Sequence, residues 1–271
     1  MATYKKRGYK VKTKVEKEKE VPAEEIESTT AEVFNTLDET ASKTEEWVAG
    51  NQKYIFVGIG AIAVILLGYL IYSKVFSAPK EVEAANEVFQ ANSYFNQAIN
   101  IDLNQDMLKG LAARDSLFNL ALNGGGGKFG YLNIISEYGG TNAANLANYS
   151  AGIAYLNLNE YKLAVKHLQE FNSDDIIIGA KAKGAIGDAF IQMEDPTVAL
   201  EYYEKAFQHS ANDATTPIYL YKAGVTALDI GEASKALSYF KRIENEYASF
   251  KNTADGKMLD IYIGKAEALN N

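Results

Sequence analysis

The chain has no cysteine among its 271 residues. Disulfides, thiolate zinc sites, iron–sulfur clusters and cysteine nucleophiles are therefore excluded. Such a chain is also safe in an oxidising compartment. Histidine is nearly absent: His167 and His209 are the only two imidazoles. Triads and metal sites have little to draw on, and no Ser/His/Asp constellation can be assembled. Proline is rare, at 4 residues, and the composition is rich in Ala, Glu, Lys and Leu, which favours helix. A parallel-strand pattern is missing throughout. Gly125, Gly127 and Gly130 match GxGxxG in letters, but a dinucleotide fingerprint needs a strand before it. Lys128 follows four glycines, yet Phe129 stands where a phosphate loop needs Ser or Thr. This segment is expected to be a flexible loop between helices. The sequence implies no cofactor, no metal and no catalytic residue.

Charge is distributed unevenly. Residues 1–19 carry eight basic side chains against Glu16 and Glu18. Residues 20–46 then carry nine acids and only Lys43. From Ser73 to the end, 17 basic and 24 acidic side chains give a net charge of −7. The large C-terminal part is acidic, which disfavours nucleic acid as its ligand. Residues 1–25 have almost no apolar content and read as disordered. Their basic run is able to touch anionic lipid or ribosomal RNA, although such runs are usually just solvated. From Glu27 onward, Val33, Leu37, Ala41 and Trp47/Val48 recur at helical spacing, so a short amphipathic helix is expected there.

One long apolar run splits the chain. Tyr54–Tyr72 reads YIFVGIGAIAVILLGYLIY, nineteen residues without a charge. At about 1.5 Å per residue it crosses a hydrocarbon core of roughly 30 Å with its flanks. Tyr54, Tyr69 and Tyr72 lie near its ends, and Lys53 and Lys74 bracket it. The 53 residues before it are too many for a signal-peptide n-region, so the anchor is expected to stay. The basic tail places the N-terminus in the cytoplasm and the C-terminal part across the membrane. Gly60 and Gly58 are not followed by glycine at i+4, although Ala61 and Gly68 share a face.

Beyond the anchor, three segments repeat. They run Tyr149–Phe171, Gly184–Phe207 and Tyr221–Ile243. Gly152, Gly187 and Gly224 take one place, 35 and 37 residues apart. Ala164, Ala199 and Ala236 follow each glycine by twelve residues, and Leu168, Tyr203 and Phe240 come four later. Tyr155 and Phe190 precede the turn, with Ala227 weaker there. Glycine inside a helix costs roughly 1 kcal/mol relative to Ala, and close helix crossing repays that. The alanine is expected on the facing helix, and the bulky residue after it to fill the gap to the next repeat. Asp174-Asp175 and Glu194-Asp195 read as turn and cap acids. The glycosylation sequon Asn148-Tyr149-Ser150 falls inside a helix.

The small–aromatic–small–aromatic pattern resembles the tetratricopeptide (TPR) repeat over about 100 residues, without that motif's Trp and final Pro. The expected fold is all-α: a single N-terminal transmembrane helix, then a TPR-type α-solenoid. The expected division is a tail over 1–53, a span over 54–73 and a TPR-like domain over 74–271. Within that domain an irregular first unit covers 81–140. Repeats cover about 145–178, 180–211 and 217–249, and a closing helix covers 256–269. On this template the first helices line a concave groove with Tyr149, Ile153, Lys181, Asp188, Gln192, Tyr221, Val225 and Asp229. The lining lacks the Lys/Arg pairs that clamp a C-terminal carboxylate.

Taken whole, the chain from about residue 30 resembles the membrane-anchored TPR protein of the bacterial SecYEG translocon (the YfgM type), in a Bacteroidota-like form. The segments that carry this are TEEWVAGNQKYI, NEVFQANSYFNQA, ALNGGGGKFGYLNIISEYGGTNAANLANYSAGIAYLNLNEY and the element Thr216–Gly224. The resemblance implies a non-catalytic inner-membrane ancillary subunit of the Sec translocon. Its TPR domain would be periplasmic, paired with a membrane-anchored prolyl-isomerase-like chaperone and meeting clients at the channel exit. Two other classes remain open. One is an envelope scaffold for cell-wall or outer-membrane assembly proteins. The other is a cytosol-facing import receptor of reversed topology.

Overall fold

A computed structural model describes residues 29–102 and 106–270, with side chains from Thr44 onward. The basic run and the rest of the expected disordered tail lie outside the described residues. Among these residues the chain is all-helical, with no strand. It divides into two compact units at Leu70/Ile71.

The first unit is the helix α1, Thr29–Tyr72, which ends just past the division. The expected amphipathic helix and the apolar run are one continuous element. No proline falls in this stretch, and its four glycines, Gly50, Gly58, Gly60 and Gly68, do not break the hydrogen-bond ladder. Its apolar side chains are bare: Phe56 is 62% exposed and Ile65 69%. A core helix would bury such residues. Among the described residues one helix is long and apolar enough to cross a membrane.

In the second unit a π-helical turn, Ser73–Ser77, leads into α2, Ala78–Ile99. Then follow α3 (Met107–Asn123), α4 (Tyr131–Glu137) and α5 (Asn142–Asn157). α2 packs on all three. It does so through Ala84, Ala91 and Ala98, which together with Phe118, Tyr131 and Ile134 form one core cluster. A row of alanines at i, i+7 and i+14 lets the partner helices approach closely. Full burial of Phe118 contributes about 1.5–3 kcal/mol.

The glycine run between α3 and α4 is ordered rather than loose. Gly125 and Lys128 exchange both backbone hydrogen bonds, at 3.3 and 3.1 Å. Gly126 and Gly127 supply the left-handed φ values of 61° and 74° that this two-residue turn requires. The expectation of a flexible loop is corrected here, because the glycines serve a tight turn.

The remaining helices are α6 (Tyr161–Glu170), α7 (Ile178–Gln192), α8 (Pro196–His209), α9 (Thr216–Asp229), α10 (Ala233–Glu246) and α11 (Leu259–Asn270). From α5 on, each helix packs on the one before and the one after it in the chain. The turns inside α5–α6, α7–α8 and α9–α10 have the same construction. Asn159, Glu194 and Gly231 hold left-handed φ values of 63°, 59° and 81°. The next residues, Glu160, Asp195 and Glu232, donate their N–H to the carbonyls of Tyr155, Phe190 and Ala227 at 2.9, 2.9 and 2.7 Å. All three left-handed residues stand seven positions after the repeated glycine. Such a conformation costs a non-glycine residue roughly 1–2 kcal/mol, so its recurrence at Asn159 and Glu194 marks equivalent corners.

Candidate partner-binding cleft

The repeated glycines are contact points between paired helices. A Cβ at Gly152 would stand 2.5 Å from Leu168 Cγ. At Gly187 it would meet Tyr203 Cε1 at 2.6 Å, and at Gly224 Phe240 Cε1 at 2.4 Å. Each bulky residue therefore sits on the glycine of its own helix pair, sixteen residues back. The expected role of filling the gap to the next repeat is thus not its main one. Ala164, Ala199 and Ala236 are wholly buried beside these contacts. Tyr155 stacks on His167 with centroids 5.5 Å apart, and Phe190 stacks on Tyr202 at 5.6 Å. His167 and Tyr202 both stand fifteen residues after their glycine. His167 is consequently a packing residue between helices rather than a surface or groove histidine. Its Nδ1 meets Asn148 Oδ1 at 2.9 Å, and burial holds its pKa below the ordinary value.

Successive pairs are joined by a second recurring contact. Gln169 Nε2 donates to Tyr202 Oη at 2.8 Å, and Tyr239 Oη donates to Glu204 Oε1 at 2.7 Å. Gln169 and Glu204 hold equivalent places, as do Tyr202 and Tyr239. Sequence reasoning missed this ladder, although the two tyrosines are visible at matching spacing.

The eight residues expected to line a groove separate into three sets. Tyr149 and Ile153 are half-buried in the α6–α7 cluster, and the Tyr149 ring lies 5.2 Å from Phe171. Tyr221 and Val225 pack against the C-terminal core, where Phe250 and Tyr262 cover the Tyr221 ring at 5.7 and 5.6 Å. Burial pushes the Tyr221 hydroxyl up to about 12. Lys181 and Asp229 are exposed on their helices. Asp188 and Gln192 line an open concavity. Tyr221 is thus removed from the open lining, since chain segments after α10 fold over it.

That concavity is a cleft of about 460 Å³ lined by Arg114, Leu156, Asn157, Asn159, Tyr161, Asp188, Ile191, Gln192 and Tyr203. Leu156 and Ile191 hold equivalent places on α5 and α7, and so do Asn157 and Gln192. The cleft offers pairs of apolar and amide side chains one repeat apart. At one wall Asp188 accepts from Lys222 Nζ at 2.6 and 2.8 Å and from Tyr203 Oη at 2.7 Å. Burial, then the Asp188 charge, raises the Tyr203 pKa far above the ordinary range, so its hydroxyl stays a donor. At another wall Arg114 donates to the Asn157 carbonyl at 3.4 Å and to Asp115 Oδ1 at 3.3 Å. Arg114 was not foreseen, because it comes from α3, outside the repeats.

The remaining candidates act as structure. Asp175 accepts from the N–H of Ile178 and Ile177 at 2.8 and 2.9 Å, which lowers its pKa, and Asp195 caps α8 through Val198. His209 Nδ1 lies 3.1 Å from Lys183 Nζ, and its Nε2 lies 3.0 Å from the Asp175 carbonyl. Among the described residues no group of three or more His, Asp or Glu is placed to hold a metal ion. The cleft can hydrogen-bond a main chain and seat apolar side chains. Searches against protein-family models and against curated proteins found no match for this chain.

Proposed function

We propose that α5–α10 are three tetratricopeptide units and that the chain is a membrane-anchored, non-catalytic partner-binding protein. In this reading α11 closes the solenoid. Tyr54–Tyr72 crosses the bacterial inner membrane, with the N-terminus cytoplasmic and the helical domain periplasmic. The protein acts as an ancillary subunit of the Sec translocon, where its cleft takes an extended segment of a prolyl-isomerase-like chaperone or an emerging client. The observation that carries the reading is the threefold recurrence, behind one bare apolar helix, of a left-handed corner and a glycine under a bulky side chain. The recurrence supports repeat units. The translocon itself enters through the resemblance of the sequence.

The cleft is built for a peptide rather than a rigid surface. Gln192 and Asn157 stand at the spacing of one repeat, next to the apolar pair Leu156 and Ile191. An extended segment alternates main-chain amides with side chains, and such a lining matches that alternation. Confinement to the membrane raises the local concentration of a partner anchored in the same bilayer.

The test is a gentle-detergent pull-down of the tagged full-length protein, with mass spectrometry of the chains that follow it. Translocon subunits together with a periplasmic folding factor support the reading. Cell-wall or outer-membrane assembly proteins, with no translocon above background, overturn it in favour of an envelope scaffold.

A further inference from the structure

A second hollow, of about 190 Å³, opens between α6, α7 and α8 and shares no lining residue with the cleft. Its floor is apolar: Leu168, Phe171 and Ile186 are 2–8% exposed. Tyr202 and two cations, Lys183 and Lys205, also line it. Lys183 stands four positions before Gly187, and the equivalent places in the other two helix pairs hold Asn148 and Leu220. Leu220 is wholly buried, and Asn148 Oδ1 meets His167 Nδ1 at 2.9 Å. α7 thus carries an ammonium where its counterparts carry a neutral side chain engaged with the fold. Departures of this kind from the pattern of a fold are expected at functional positions.

That ammonium has no counter-charge in contact with it. Lys183 Nζ donates to His209 Nδ1 at 3.1 Å and to the Gly179 carbonyl at 3.4 Å. A lysine only donates, so Nδ1 accepts and the ring proton sits on Nε2, 3.0 Å from the Asp175 carbonyl. A ring that accepts in this way is neutral and supplies no charge. Among the described residues Lys183 has no ion pair. Burial lowers its pKa, and Asp174 offsets this only from beyond ion-pair distance. Other partly covered lysines are paired: Lys222, Lys235, Lys241 and Lys251 meet carboxylates at 2.6, 2.8, 3.3 and 2.9 Å. Lys205 holds Glu201 only at 3.9 Å and lies over the Tyr202 ring at 4.4 Å. A partly desolvated cation without a partner is costly, and an anion that reaches it removes that cost.

We propose that this hollow binds a small organic acid, an apolar group bearing one carboxylate. The volume sets the size. A cavity of about 150 Å³ holds benzene, so one ring or a short branched chain fits here and an extended peptide does not. The apolar floor takes the hydrocarbon, and Lys183 and Lys205 take the carboxylate. An inorganic anion would leave the floor uncovered. The same chemistry is presented by a free acid and by the last residue of a chain. The site is separate from the cleft and stands whether or not the translocon reading holds.

The test titrates 3-phenylpropionate into the full-length protein in lipid nanodiscs, with the isoleucine Cδ1 methyls labelled for NMR. Ile186 reports on the hollow and Ile191 on the cleft, and Ile186→Val and Ile191→Val assign the two signals. The proposal expects the Ile186 methyl to shift saturably with a Kd below about 5 mM, while Ile191 stays in place. The neutral analogue 3-phenylpropanol, referred to its free concentration, and the Lys183→Met variant should each weaken binding at least about tenfold. Methionine keeps the length of the side chain, and the comparison of acid with alcohol on the natural chain decides if that variant does not fold. Binding of acetyl-Gly-Gly-Phe at Ile186 assigns the acid to a chain terminus, and its failure beside bound 3-phenylpropionate assigns it to a free acid. A weaker or absent response at Ile186, a shift led by Ile191, or equal affinity for acid and alcohol overturns the proposal.

Discussion

A methyl group added at Gly224 meets a buried phenyl ring, whereas one added at Gly264 on α11 finds no atom within 4 Å. The two glycines therefore respond oppositely to the same substitution. Gly224→Ala is expected to destabilise the protein by about 1–3 kcal/mol, because overpacking outweighs helix propensity. Gly264→Ala is expected to stabilise by up to about 1 kcal/mol, the propensity difference alone. Chemical denaturation of the two variants in detergent checks both signs. The repeated glycines were legible in the sequence as points of close approach, since a helical glycine has few other uses. Which side chain lies on each one was not, because spacing along a helix does not say which neighbour its far face meets. His167 gives a second test at this scale. Its ordinary pKa is 6.5, and burial lowers it in the folded chain, with the Lys166 charge assisting. The unfolded chain thus binds a proton more readily, and stability falls as pH drops below about 6.5. A thermal-unfolding series from pH 8 to pH 5 should show that decline, and His167→Gln should make it shallower. An unchanged slope in the variant would assign the decline to other groups.

The α4–α5 corner shows what helices owe to distant residues. Thr141 accepts from Ala144 N at 3.1 Å and donates to the Tyr138 carbonyl at 2.7 Å. The Glu81 carboxylate, from α2, accepts from Asn142 N at 2.8 Å and Ala143 N at 3.2 Å. Lys80 reaches the Gly139 carbonyl at 3.4 Å on the same corner. The first turn of α5 is thus capped twice, and a carboxylate faces its positive end. Glu81→Ala is expected to cost about 1–2 kcal/mol, with hydrogen exchange at Asn142 and Ala143 rising before that of the α8–α10 core. The segment SEYGGTNAANLA looked distinctive in the sequence, but its part in the fold was hidden there. Its capping partner lies some sixty residues upstream, and no local pattern announces a contact of that range. The all-helical character and the one long apolar helix were legible from composition and apolar periodicity. The ordered Gly126-Gly127 turn was misjudged because a glycine run describes freedom, while the surrounding backbone chooses one conformation.

At the scale of the molecule, the sequence placed the lining of the groove by template, and the structure leaves only part of it open. Tyr221 is covered by Phe250 and Tyr262, Val225 packs against the C-terminal core, and Tyr149 leans on Phe171. Arg114, from a helix outside the repeats, joins Asp188 and Gln192 instead. A template transfers positions within a repeat but not what the flanking helices do to them. Function at the cleft then predicts that Ile191→Asp, which adds a charge at a partly exposed position, lowers partner recovery several-fold in a pull-down without loss of the folded helical signal in circular dichroism. The most direct measurement is photo-crosslinking in intact cells from a photoreactive amino acid placed at Gln192, with Lys162 as an exposed position outside the cleft lining. The account predicts discrete adducts at 192 that contain a translocon subunit or a periplasmic folding factor, and none at 162. Adducts that are the same at both positions, or absent from 192, would contradict it.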